Sequence, residues 1–399
     1  MLNYDVIVCG AGPAGATAAA AAASQGLKVA LLEKQPLPRH KTCGGGMPIV
    51  VGDILKNIAP DAFVESKVRY MRHTWMFNDA YLADINPPGT SPDICLWMVQ
   101  RSIFDNALAQ RAAEAGADLR DNLAVKSIEI EPDGAIVRAS SIKTGTNFEA
   151  KAKHIIGADG ASGITAKIAN LRRKKEMAIA IEIEHPYDWK NNHIDVTPEI
   201  IHLEYGAVKN GYAWIFPKAD HLNIGAGLFN QGIWKSRSNI EIRADLEKAI
   251  FNYLELFSIP YQPEKMRFYG HPLPLWQGKE QRHTPDERIL LAGDAAGLIN
   301  PLFGDGILHA IKSGLIAGEC VAQNDVKNYS QRINTEFAPK FDPASKLSSF
   351  FYKMPHLCYQ YGVKRPNATR IAARLLMDEL DFNDMVGRFM GRVRKAMIG

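Results

Sequence analysis

Cysteine is scarce: Cys9, Cys43, Cys95, Cys320 and Cys358 are the only five in 399 residues. They are odd in number, widely spaced and form no C-x-x-C pair, which excludes a disulfide framework and the usual structural zinc site, so no metal is expected. Long apolar runs are missing too. The alanine-rich stretch 16–23 runs straight into Ser24, Gln25 and Gly26, and nothing approaches the roughly 18 uncharged apolar residues of a membrane-spanning helix. A large surplus of charge is absent: 47 basic against 43 acidic residues leave a formal +4. That excess is too small for nucleic acid without a concentrated patch. No basic cluster is interleaved with stacking aromatics, so no nucleic-acid partner is expected. No basic and apolar leader precedes the strand-like "YDVIVCG", which makes a cytoplasmic setting with reduced thiols the expectation.

What is there is ordinary globular material, 46% hydrophobic and 23% charged. The length suits two or three domains, or one domain with an elaborate insertion. With neither a solenoid repeat nor a low-complexity linker, the pieces are expected to interleave in space. Residues 4–9 read as a buried strand, 13–25 as a helix ended by Gly26, and 28–33 as a second strand, a βαβ opening. Residues 104–115 read as a helix closed by Gly116, 128–137 as a hairpin broken by "EPDG", and "HIIGADG" from His154 as another buried strand. From about 177 to 228 short β-rich runs follow one another, as in a mainly antiparallel sheet. "IEIRADLEKAIFNYLELF" then reads as a helix and "RILLAGDAAG" as a strand, and from about Pro339 the chain reads as helical.

The strongest local motif is Gly10-Ala11-Gly12-Pro13-Ala14-Gly15, set between the first strand and the first helix, with Glu33 ending the next strand. Glycines let the backbone turn tightly and approach a pyrophosphate, the helix start offers unpaired N–H groups, and the acid can accept ribose hydroxyls. The plain alternative is a glycine-rich turn. Strand, helix and acid in register favour the dinucleotide.

Three further stretches carry a resemblance. "QRSIFDNAL" (100–108), "GADGAS" (157–162) and "LLAGDAAGLINPLFGDGI" (290–307) resemble, in this order, the FAD-dependent family that includes the aromatic hydroxylases. Two more, "KTCGGGMP" (41–48) and "GYAWIFPK" (211–218), are similar to the geranylgeranyl reductases within it. The resemblance covers most of residues 1–320 and departs from many relatives at Asp305, where glycine is common. It implies FAD as cofactor, held by Gly10, Gly12, Pro13, Ala14, Gly15, Glu33, Lys34, Cys43, Gly44, Gly46, Arg101, Ala124, Asp159, Gly160, Asp294, Gly304, Gly306 and Ile307. The plain alternative for Asp159 taken alone is a turn aspartate. The implied fold class is α/β and α+β. A Rossmann-type FAD-binding domain of discontinuous segments (1–75, 97–170, 280–330) carries an inserted, mainly antiparallel sheet domain for substrate (76–96, 171–279) and a helical C-terminal region (331–399).

The implied activity is reduction of carbon–carbon double bonds in a polyprenyl chain on a lipid, diphosphate or pigment, with hydride from reduced flavin N5. NADPH or ferredoxin would supply electrons, the latter as a partner protein. On a strand, Tyr212, Trp214 and Phe216 share one face, either an aromatic wall for a long isoprenoid substrate or ordinary core packing. Tyr212, Cys43, His309 and a flavin-bound water are the candidate proton donors. Cys43 could be a redox-active thiol, a small apolar filler, or a residue whose backbone alone meets the cofactor. Other readings stay open: a monooxygenase on the same fold, and an electron-transfer flavoprotein serving a membrane partner. In "DMVGRFMGRVRKAMI", a helix would align Val386, Phe389, Met390, Val393 and Met397 and present Arg388, Arg392, Arg394 and Lys395. That fits peripheral membrane contact or a docked terminal helix with a solvated face.

Overall fold

The computed structural model describes residues 1–56, 62–86, 94–171, 177–229, 237–365 and 367–380, with Gly387 and Gly391. The chain alternates between two compact units. The first comprises Met1–Lys41, Arg101–Glu176 and Leu273–Asp342, and the second Thr42–Gln100, Met177–Pro272 and Pro343–Gly399.

In chain order, Met1–Lys41 carries β1 (Leu2–Cys9), α1 (Pro13–Ala23) and β2 (Val29–Leu32). The next segment carries β3 (Gly46–Pro48), α2 (Val50–Leu55), β4 (Val64–Val68), β5 (Tyr70–Trp75), β6 (Asn78–Asp84) and β7 (Leu96–Val99). The third returns to the first unit with α3 (Arg101–Glu114), β8 (Asp118–Arg120), β9 (Leu123–Glu131), β10 (Gly134–Ser141), β11 (Asn147–Gly157) and α4 (Thr165–Ile168). The fourth carries β12 (Met177–Pro186), β13 (Ile200–Glu204), β14 (Gly211–Pro217), β15 (His221–Leu228), α5 (Asn239–Leu256) and β16 (Tyr269–Pro274). Then come β17 (Ile289–Leu291), α6 (Ile307–Ala322), α7 (Tyr329–Lys353), α8 (Pro355–Cys358) and α9 (Ala368–Leu376).

The first unit is built on a sheet in the order β8-β2-β1-β11-β10-β9, with β17 also paired to β11. Strands β8, β2, β1, β11 and β17 run parallel, and β10 and β9 add an antiparallel extension. The buried run Val6–Cys9 is what a strand covered on both faces requires. The alanines of α1 have a packing reason. A Cβ at Gly314 of α6 would strike the Ala14 carbonyl, one at Gly318 would sit 2.5 Å from that of Ala18, and the Thr17 hydroxyl donates to Ile311 O at 3.2 Å. Two helices meet this closely only where side chains are small.

The second unit is built on a sheet in the order β16-β12-β15-β14-β13-β5-β6. Its described pairings are antiparallel except β13 with β5, which is parallel. Helix α5, opened by a Ser238–Glu241 capping box, lays Ile242, Leu246, Ile250 and Tyr253 on Ala213, Ile215, Leu222 and Ile224 of this sheet. A small sheet, β3-β7-β4, belongs to the same unit.

Two boundaries differ from expectation. The first segment of the nucleotide-binding part ends at Lys41, not 75, because β3 and β4 pair with β7 and β5 joins β13. The region from 331 onward is no separate piece: α7 starts at Tyr329 and continues through Pro339 and Pro343, with the division between units inside it. The basic C-terminal stretch lies outside the described residues apart from its two glycines. Among the described residues, no helix is long and apolar enough to cross a membrane.

Candidate functional site

In the first unit β1 delivers the chain into the glycine motif. Gly10 turns with φ +103°, where a Cβ would collide with the Ala158 carbonyl, and a Cβ at Gly15 would collide with Gly10 O. Gly12 caps α1 with no side-chain hydrogen bond and Pro13 follows at the first turn, so the leading N–H groups of α1 have no intrahelical acceptor. Glu33, buried at the end of β2, accepts from Ala11 N at 3.0 Å and Gln35 N at 3.1 Å. Lys34 beside it is exposed, and Ala124 enters β9 directly after Leu123, whose N–H donates to Glu33 O at 2.8 Å.

A charge relay missed in the sequence reading braces this loop. Arg39 Nε lies 3.2 Å from Glu33 Oε2, and its Nη1 donates to Asp105 Oδ2 at 3.0 Å. Arg101 closes on the same carboxylate with two bonds of 2.8 and 2.9 Å. Burial opposes ionisation of Asp105, but the guanidinium groups of Arg101 and Arg39 outweigh it and hold the carboxyl below the usual range. Arg101, expected from the sequence to meet the cofactor, is thus oriented by Asp105. Both lie in the quoted "QRSIFDNAL", while Arg39 had no local signal.

Asp159 receives Thr165 N at 2.9 Å and the Thr165 hydroxyl, the turn role kept open for it. Gly160 follows with φ +77° and open space around it. Asp294 lies in a short 3-10 turn, and a Cβ at Gly306 would sit 3.7 Å from its Oδ1. Gly304 turns with φ +75°, and Gly306 caps α6, which begins at Ile307 with no side-chain cap. One turn on, His309 Nε2 meets Asp305 Oδ2 at 2.8 Å. The ring stands edge-on to Phe341 at 4.7 Å, and its Nδ1 is buried with no hydrogen-bond partner among the described residues. The residue that departs from the family pattern, Asp305, therefore orients a proposed proton donor.

In the second unit the "CGGG" stretch runs into β3. Cys43 N donates to Glu182 Oε1 at 2.6 Å, Gly45 N to Cys43 Sγ at 3.4 Å, and Val99 N to Gly45 O at 2.9 Å. The glycines are required by crowding: a Cβ at Gly44 would fall 2.6 Å from the Phe216 ring, and one at Gly45, φ +71°, would meet Val99 O and Lys218 Nζ. Lys218 is buried and donates to Val99 O at 2.8 Å; burial pulls its ammonium down to about 8 against the pull of Cys43, Glu65, Glu182 and Glu184. Glu182 is buried as well and is pushed up to about 7, with a hydrogen bond from Asn223, the Cys43 N–H and Lys218 opposing the shift. Neither residue was singled out beforehand: Glu182 and Glu184 alternate with apolar neighbours as on a solvated strand face.

Strand β14 separates its residues as period two predicts. Ala213 and Ile215 face α5, while the opposite face holds Tyr212, Trp214 and Phe216 with successive ring centroids 5.9 and 6.0 Å apart. Tyr212 stacks on Phe229 at 5.0 Å, Trp214 Nε1 donates to Asn223 Oδ1 at 2.8 Å, and Phe216 packs on the cluster of Val68, Met98 and Ile201. The three proton-donor candidates thus fall in different units, His309 in the first and Cys43 and Tyr212 in the second. None of the five cysteines is joined in a disulfide.

A family model described as an FAD binding domain matches residues 3–318. The digeranylgeranylglycerophospholipid reductase of Methanocaldococcus jannaschii is 31% identical over 392 residues, covering 95% of this chain and 89% of its own length. The chain belongs to the geranylgeranyl reductase family. Another member, the chloroplastic geranylgeranyl diphosphate reductase of Nicotiana tabacum, is 26% identical across 88% of this chain and 75% of its own length. As a family member the protein is an FAD-dependent oxidoreductase. Its fold matches the crystal structure of a geranylgeranyl bacteriochlorophyll reductase-like protein of Thermoplasma acidophilum, with TM-score 0.76, 21% identity and coverage of 100% and 99% of the two chains. A flavin-dependent brominase matches with TM-score 0.74 at 18% identity over 99% of each chain. The fold therefore serves more than one flavin chemistry, and membership of the geranylgeranyl reductase family rests on sequence.

The residues around α1 fit the dinucleotide that the family binds. Gly10 and Gly15 leave no room for a Cβ, the helix start has no competing side-chain cap, and Arg39 sets positive charge beside it, 3.6 Å from where a Cβ of Gly12 would lie.

Proposed function

We propose that the enzyme saturates double bonds of a polyprenyl chain, with a geranylgeranyl group on a glycerolipid as the first substrate to test. The observation that carries this reading is the aromatic face Tyr212–Trp214–Phe216 with Gly44 pressed on the Phe216 ring. An isoprenoid chain offers almost nothing to hydrogen-bond, so rings and apolar side chains must align it. The relatives' names support the same class of substrate. When bound, FAD supplies the hydride that an isolated alkene accepts poorly without close positioning.

The chain's own part is to hold and to protonate. In the first unit Gly10, Gly12, Gly15, Glu33 and Arg101 would hold the dinucleotide, with Asp294, Gly304, Gly306 and the start of α6 as a second set of backbone and carboxylate contacts. Asp305 keeps His309 in one orientation with Nδ1 as its remaining site for a proton. In the second unit Tyr212 offers a phenol at the end of the aromatic face. The expected cofactor contacts of Cys43, Gly44 and Gly46 remain part of this proposal. NADPH and ferredoxin are the two electron donors to compare, and the basic C-terminus is the segment to test for peripheral membrane contact.

The test is to reduce the enzyme chemically without oxygen and add geranylgeranyl compounds that differ in head group. Flavin reoxidation accompanied by gain of two hydrogens per double bond supports the proposal. Reoxidation only by oxygen, with a hydroxylated product, would replace it with a monooxygenase.

A further inference from the structure

Around the 42–46 loop the second unit places a chain of buried polar contacts that runs from the indole of Trp214 to the backbone of Cys43. The indole N–H of Trp214 fixes the amide of Asn223 by donating to Oδ1 at 2.8 Å. The Asn223 side chain in turn hydrogen-bonds Glu182. The Glu182 carboxylate then accepts from Cys43 N at 2.6 Å. From the far side, Lys218 holds Val99 O at 2.8 Å while Val99 N holds Gly45 O at 2.9 Å. Two buried charged groups on β12 and at the end of β14 thus grip a loop whose glycines have no side chains of their own to anchor it.

We propose that Glu182 is a positioning residue for this loop: its carboxylate holds the Cys43 N–H, and loss or gain of a proton on that carboxylate tightens or loosens the hold. A hydrogen bond to an ionised acceptor is shorter and stronger than one to a neutral acid, and Cys43 N lies 2.6 Å from Glu182 Oε1, close enough for the difference to be felt. The charged groups that act on Glu182 are Lys218 and Glu184; Lys218 also feels the Cys43 thiol and Glu65, which is itself near His221 and Asp220. Burial keeps the carboxyl poised near neutrality, with Lys218 drawing it down and Glu184 pushing it up. The inference rests on the proposed function only in that this is the loop assigned there to the reducing site.

The test is hydrogen–deuterium exchange of the full-length protein with bound FAD, resolved to the Cys43 amide and divided by the intrinsic rate at each pH, with the Ile224 amide of β15 as control. From pH 5.5 to 8.5 the wild-type Cys43 amide should gain about tenfold in protection, the difference between a neutral and a charged acceptor. Glu182→Gln, which keeps a carbonyl acceptor, should show pH-independent protection, and Glu182→Ala should lose protection at every pH. A flat wild-type profile overturns the proposal, as does Glu182→Gln retaining the wild-type slope. No substrate enters this measurement, so a wrong substrate assignment would leave its outcome unchanged. In turnover, Glu182→Gln should remove a limb near neutrality from the pH profile of kcat while leaving KM unchanged.

Discussion

At the residue scale, Asp105 carries more than its place in the motif announces. It lies between Arg101 and Arg39, both pointing their donors at one buried carboxylate. Removing it leaves two guanidinium groups facing each other in a poorly hydrated place. Breaking a buried pair this way costs about 3–5 kcal/mol, so Asp105→Ala should lower unfolding free energy by roughly that amount in a urea titration and weaken FAD retention on a desalting column. Asp105→Asn, with its shape kept, should lose less. For Cys43 the expectation has the other sign. Its N–H and the neighbouring glycine backbone make the close contacts, while its sulfur receives a weak bond from Gly45 N and lies within electrostatic reach of Lys218. Cys43→Ser should therefore keep stoichiometric FAD and normal flavin reduction, read from the visible spectrum; loss of flavin would show that the thiol itself is needed. Gly10, Gly15 and Glu33 were legible because their chemistry is encoded within one βαβ unit. Arg39–Asp105 and Cys43–Glu182 join residues 66 and 139 positions apart, and no local pattern connects them.

At the element scale, the sequence patterns of α1, α3, α5 and the β9–β10 hairpin carried through, since each obeys its own periodicity and its own cap or turn. The observed α5, Asn239–Leu256, lies almost wholly inside the stretch read as a helix. What periodicity could not convey was why α1 is nearly all alanine. The answer lies in α6, whose Gly314 and Gly318 admit the backbone of α1. Helix propensity favours alanine over glycine by up to about 1 kcal/mol, whereas a methyl driven against a backbone carbonyl costs about 1–3 kcal/mol. Gly314→Ala should therefore be net destabilising and lower Tm, despite the better helix former. Ser238→Ala, which removes the cap of α5, should cost about 1 kcal/mol with FAD content unchanged. A Gly314→Ala protein with a raised Tm would mean that α6 yields more readily than its contacts with Ala14 indicate.

At the scale of the whole molecule, chain order concealed which segments belong together. Residues 42–75 read as a continuation of the nucleotide-binding part, yet their strands find their partners in the sheet unit. That return places Glu182 and Lys218, charged groups from the later segment, under a loop from the earlier one, and it gives stability a pH signature. Glu182 is raised to about 7 from an ordinary 4.5. Its protonated form is therefore favoured on folding, and the stability this contributes is complete below about 4.5 and lost as pH rises through 7. Lys218 is lowered to about 8 from 10.5; its contribution is complete above about 10.5 and lost as pH falls through 8. Between 7 and 8 both groups are charged and both carry their burial cost. Comparing Tm of Glu182→Gln with wild type from pH 4.5 to 8 should show the variant gaining steadily on the parent and levelling off above 7. Lys218→Met should gain on the parent in the opposite direction, as pH is lowered from 10.5 toward 8. If the two differences ran parallel with pH, the groups would be titrating as one coupled pair, and the separate signs assigned to burial at each would be wrong.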